Sequence, residues 1–125
     1  MLANLLIYIG SIIIIGWGIA HIIPVRGIVK SFGTVSSDNK KIIMMEWVAE
    51  GLTLCFIGLL VLLINILGGT TNNVSRIVFR ISAGMLIIMA IWTALTGSRT
   101  SVIPIKICPF VKAAVAIMFL VGSFI

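Results

Sequence analysis

The sequence predicts an all-α membrane protein, a four-transmembrane-helix bundle, on three observations. The chain has 125 residues, 61% hydrophobic and only 10% charged, with a mean hydropathy of +1.30. A soluble domain this small buries only part of its surface and could not hide so much apolar area, a difficulty that a lipid solvent removes. Apolar runs of roughly 20 residues, the length that crosses a bilayer at about 1.5 Å rise per residue, recur four times. The basic residues gather mainly between these runs, where anionic headgroups and the positive-inside bias account for a net charge of +6 without any nucleic acid.

The first span is expected over residues 2–23 and is ended by Pro24. No basic n-region or A-x-A site marks it as a signal peptide, so a retained span is expected. "PVRGIVKSFGTVSSDNKK", residues 24–41, is the one connection of any length. Its "VRGIVKSFG" part carries Arg26 and Lys30 at i, i+4, which predicts a short interfacial amphipathic helix. "SSDN" supplies N-cap chemistry ahead of the second span.

The second span is expected over 42–67 and is ended by "GGTTNN". The third covers 77–95 and is ended by Gly97. The fourth covers 107–125, preceded by "PIKICPF", whose Pro104 and Pro109 predict a turn. All 125 residues are expected to form a single four-span domain, since the ends, "MLANLLIYIG" and "MFLVGSFI", are themselves apolar. Seven basic residues (Arg26, Lys30, Lys40, Lys41, Arg99, Lys106, Lys112) flank the connections 24–41 and 97–107, against Arg76 and Arg80 near the remaining one. That bias predicts both termini outside and the two basic loops in the cytoplasm.

Two glutamates stand in "KIIMMEWVAEGLTLCFIGLLVLLINIL", residues 41–67. On a helical wheel Glu46, Glu50 and Thr53 fall within about 60° of one another. By helical rise Glu46 lies roughly 6 Å and Glu50 roughly 12 Å into the span. Glu46 is short of the interface by an amount its stem can cover, where Lys40 or Lys41 offers a partner; Glu50 is too deep to snorkel. An ionised carboxylate at that depth costs about 2.5–3.5 kcal/mol on insertion scales, so Glu50 needs a partner, a water-filled cavity or a proton.

Gly10, Trp17 and His21 share a face of the first span at spacings of seven and four. His21, three residues before Pro24, falls at the depth of the glutamates, because the first two spans run in opposite directions. It is read as an interhelical hydrogen-bonder, a titrating group or a metal or haem ligand; one histidine does not make a multi-histidine metal site. Arg99 and Lys112 lie on the same side and can compensate the carboxylates. The expected ligand- or proton-binding set is therefore His21, Glu46, Glu50, Thr53, Trp17 and Arg99. Lys112 and Arg80 are expected to snorkel. Arg76, Arg80, Ala83, Ile87, Ala90 and Ala94 share one side of the third span, with Gly84 close by, which predicts a packing face; Gly51 and Gly58 offer another in the second. Cys55 and Cys108 read as packed thiols, the methionines as packing residues, and Trp47 and Trp92 as interface or packing aromatics. No Ser–His–Asp set, phosphate loop, nucleotide motif or metal-spaced cluster is present.

"GWGIAHIIP", 16–24, followed by "MEWVAEGLTLCFIG", 45–58, resembles the DoxX-like group of small four-span membrane proteins. That group often ends span one in glycine and histidine and opens span two with an acidic residue. The resemblance covers about the first 60 residues and maps onto Gly18, His21, Pro24 and either Glu46 or Glu50. The second glutamate and the long loop 24–41 depart from the pattern. The resemblance implies the architecture and, for some members, association with membrane redox or quinone-linked complexes.

Three function classes follow. The first is a membrane protein whose polar intramembrane pocket binds a lipid, quinone or other amphipathic ligand, as a homo-oligomer or a subunit of a larger membrane complex. The second is a proton-coupled transporter or channel, and the third a membrane subunit of a redox enzyme. Lipids are the expected partners, with quinone or lipid the only cofactor class that the residues suggest.

Overall fold

The computed structural model describes residues 1–125. The chain forms α1 (Leu2–Ile22), α2 (Val25–Ser31), α3 (Ser37–Gly68), α4 (Asn73–Leu95), a 3-10 turn (Gly97–Arg99) and α5 (Ile103–Phe124), with no strand. Four of these helices, α1, α3, α4 (extended through the 3-10 turn) and α5, are long and apolar enough to cross a membrane. The surface says the same. Leu52, Phe56, Leu59, Leu63 and Ile66 lie exposed along α3, and only 31 of the 125 residues are buried. So much apolar surface turned outward is stable where the solvent is lipid.

The helices outrun the expected spans wherever a cap lies upstream. Ser36 accepts from the Asn39 amide at 3.2 Å, so α3 begins at Ser37, ahead of the apolar run that opens at residue 42. At 32 residues it is about 48 Å long, well over the roughly 30 Å of a hydrocarbon core, so its first turns carry Asp38, Lys40 and Lys41 beyond the apolar layer. Asn72 caps α4 through Val74 and Ser75, so that helix starts at Asn73 instead of 77. The fourth span starts at Ile103, not 107. Pro104 sits at its first turn, where a missing N–H costs nothing, but Pro109 lies inside the helix and does not mark a turn. The short helix expected in this connection forms as α2: it buries Val25 and Val29 and leaves Arg26 and Lys30 exposed.

α1 packs chiefly against α3, α4 against α5, and α1 also against α5, while α3 and α4 touch much less. The bundle therefore has one loose seam, between α3 and α4. Small residues at seven-residue spacing close the α1–α3 crossing. A side chain on Gly18 would meet the Gly51 carbonyl at 2.7 Å, and one on Gly58 would meet the Ser11 carbonyl at 2.9 Å. Such close backbone approach replaces the hydrophobic drive that helices lack in lipid. The apolar core, with Ile7, Ile14, Leu54, Val61, Phe79, Leu86 and Phe119, fills the bundle beyond this point.

The packing face of α4 is turned slightly from the expected one. Its buried residues are Ser75, Phe79, Ser82, Ala83, Leu86 and Ala90; Ile87 and Ala94 are exposed, and Gly84 has open space beside it. The large Phe79 and Leu86 are held in the core and set the rotation, which the small residues alone do not specify. Arg80 reaches toward the C-terminal end of α5. Its guanidinium donates to Ser123 Oγ at 3.2 Å and to the Ser123 carbonyl at 3.1 Å, and lies 4.1 Å from the centre of the Phe124 ring. It thereby serves one of the carbonyls that the end of α5 leaves free.

Candidate functional site

Each of the four spans brings polar residues to one end of the bundle. α3 and α5 start there; α1 and α4 finish there. Glu50 is on the fourth turn of α3, and Lys112 is the tenth residue of α5, roughly 14 Å along that helix by rise. Lys112 is 0% exposed, so the expected snorkelling does not occur. Its ammonium donates to Glu50 Oε1 and to Thr93 Oγ1 of α4 at 2.9 Å. The residue is too far from the helix start for its stem to reach water, and the pair satisfies it inside the bundle instead. The Thr93 hydroxyl in turn donates to the Met89 carbonyl at 2.8 Å.

The second oxygen of Glu50 faces α1. Oε2 lies 3.4 Å from His21 Nε2. His21 is 8% exposed, and its Nε2 has no aligned hydrogen-bond partner. Its imidazole stacks on the Trp47 indole, with centroids 4.5 Å apart and planes 12° apart. The Trp47 indole N–H donates to the His21 backbone carbonyl, one of the last four of α1 and hence without a helical partner. The ring of His21 is thus held by α3 on one face while it points toward Glu50.

These groups border a cavity of about 570 Å³ in the seam between α3 and α4. Glu46, Trp47 and Glu50 form one wall; Trp92, Thr93 and Cys108 belong to the other. Ile42 and Trp92, at 53% and 69% exposure, put part of the rim against the surrounding solvent. Glu46 is exposed at the cavity and makes no ion pair; Lys41 lies 4.0 Å from Asp38 instead. A second cavity of about 270 Å³ lies behind the His21–Trp47 stack, between Trp17, Pro24, Ile28 and Pro104.

The structure brings His21, Glu46, Glu50 and Thr53 to the larger cavity. The Thr53 hydroxyl is committed to the Ala49 carbonyl at 2.8 Å. It does not bring Trp17 or Arg99 there. Trp17 lines the smaller cavity and donates to Cys108 Sγ at 3.3 Å, and Arg99, on the 3-10 turn after Gly97, pairs with no carboxylate. Thr93, Trp92 and Cys108 join the cluster without any sequence signal, and Lys112 belongs to it more centrally than its sequence position suggests. Both cysteines are free thiols. No three His, Cys, Asp or Glu side chains converge as a metal site.

Chemically, the cluster is an ion pair with a fully enclosed cation and a carboxylate that reaches the cavity, flanked by an imidazole and hydroxyls. It can accept hydrogen bonds from a polar group in the cavity, or exchange a proton with it. The fold and this cluster define a small multi-span helical membrane protein with an ion pair enclosed near one end of the bundle. No protein-family model, no curated protein and no solved structure matches the chain. The four-helix membrane architecture accordingly stands on the chain's own structure, and the DoxX-like resemblance on the short motifs at 16–24 and 45–58 alone.

Proposed function

We propose that the protein binds an amphipathic ligand (a lipid, a quinone or another molecule with a polar head and an apolar body) in the cavity between α3 and α4, with the head against Glu50 and His21. One observation carries this reading: a carboxylate pinned by a fully buried lysine still turns an edge to a cavity of about 570 Å³. Ligand pockets fall in the range of about 300–1,000 Å³, lined by apolar and aromatic groups with a few convergent polar ones. A buried ion pair is seldom worth more than the apolar residues that would replace it, so its presence inside a membrane bundle points to a site. The exposed rim at Ile42 and Trp92 leaves the apolar body of the ligand a route into the lipid.

Transport is favoured less. The large core side chains from Leu54 to Phe119 fill the bundle beyond the cluster, so a proton or solute path needs these helices to separate. In the proposed orientation both termini lie outside and the cavity sits near the cytoplasmic leaflet, following the bias of the basic loops. Assembly as an oligomer or with a membrane complex belongs to the same proposal.

The test is lipid extraction and mass spectrometry of purified wild type and of the double variant Glu50→Gln/Lys112→Met, which removes both charges and leaves no orphan ion. A specific amphiphile retained by wild type and lost from the variant is expected. Identical extracts from two well-folded preparations would overturn the site.

A further inference from the structure

We infer that the ligand's polar head is an organic cation, an ammonium group on an alkyl or aryl body. This rests on the cavity being a ligand site. The chain contains three acidic residues against nine Lys and Arg, yet Glu46 and Glu50 both line this one cavity and no Lys or Arg does. Lys112, which neutralises Glu50, stands behind it, 0% exposed and outside the lining. Among the Asp, Glu, Lys and Arg side chains here, Lys112 offsets Glu50 and leaves one uncompensated carboxylate, that of Glu46, which has no ion-pair partner.

A second feature points to the same chemistry. Trp92 lines the α4 wall of the cavity, and an indole face attracts an ammonium electrostatically; the Trp47 indole on the α3 side is already stacked on the His21 ring. An anionic head would meet two carboxylates and no cation. A divalent metal would find too few ligands. The chain as a whole, with its net charge of +6, repels a cation, so attraction at this cavity is local.

The experiment titrates the protein, in nanodiscs of zwitterionic phosphatidylcholine, with dodecylammonium, dodecanol and dodecanoate at matched bilayer concentrations, read by tryptophan fluorescence. The three share one tail and differ in head charge. Dodecylammonium is expected to bind at least about tenfold more tightly than the other two. Glu46→Gln, at an exposed and unpaired position, should weaken it roughly ten- to a hundredfold, the usual worth of a hydrogen bond to a charged group, while changing dodecanol less than about twofold. Trp92→Leu should weaken the ammonium severalfold.

Saturable binding of dodecanol or dodecanoate as tight as dodecylammonium would overturn the cationic head and leave the cavity as a ligand site. No saturable binding of any of the three would overturn both. An ammonium preference untouched by Glu46→Gln would also overturn the proposal, since the discriminating charge would then lie elsewhere.

Discussion

Removing one partner of the Glu50–Lys112 pair should cost much more than removing both, and the two single losses should be unequal. Glu50→Gln leaves a 0% exposed ammonium with only Thr93 Oγ1, at 2.9 Å, and a neutral amide as partners. A buried charge deprived of its counter-ion costs about 3–5 kcal/mol. Lys112→Met leaves a carboxylate that is 31% exposed at the cavity. Water there and the neighbouring His21 limit the loss to about 1–3 kcal/mol, the scale of an unsatisfied polar group. The double variant buries no ion and fills the lysine's place with an apolar chain of similar length, so about 1.5 kcal/mol or less is expected. The coupling energy is then at least about 2 kcal/mol, well above the few tenths that separate independent sites. Equilibrium unfolding in mixed micelles of increasing SDS content, followed by circular dichroism, measures all four corners of the cycle. Single effects that add to within about 0.5 kcal/mol would refute the coupling, and a larger loss for Lys112→Met than for Glu50→Gln would refute the assignment of the lysine as the enclosed partner.

Two further expectations concern the frame around the site. Gly18→Ala puts a methyl at 2.7 Å from the Gly51 carbonyl and 2.6 Å from Cys55 Sγ; because backbone cannot yield as a side chain does, a loss of about 1–3 kcal/mol is expected, read as a lower thermal midpoint in detergent, whereas Gly16→Ala, with nothing within 4 Å of the added methyl, should leave that midpoint unchanged. A single cysteine at Ser36, in a background lacking Cys55 and Cys108, should resist a membrane-impermeant maleimide on intact cells and react once they are lysed; one at Thr71 should react on intact cells, and the reverse pattern would invert the proposed orientation.

The elements that were legible in the sequence are those whose energetics are local. A run of apolar side chains pays no desolvation cost in lipid whatever it packs against, so the four spans follow from residue counts. α2 was legible because Arg26 and Lys30 fix which side of a short helix meets water. Helix ends were less so: Ser36 and Asn72 cap upstream of the apolar runs, because helix propagation follows backbone hydrogen bonding and capping, and hydropathy only where the chain enters the bilayer. Pro109 looked like a turn and sits within α5, because neighbouring packing tolerates an interior proline in membrane helices.

The sequence by itself determined that this chain crosses a bilayer, that Glu50 lies too deep to stand alone, and that His21 lies near its level. Only the tertiary structure decided that its principal partner is Lys112, 62 residues away, that Thr93 completes the pairing, and that Arg99 and Trp17 stay outside the larger cavity. A residue's depth and its angle on one helix are properties of that helix. Which faces meet depends on how the helices rotate against one another, and that rotation is set by the small residues at the α1–α3 crossing and by the large ones, Phe79 and Leu86, that the core holds.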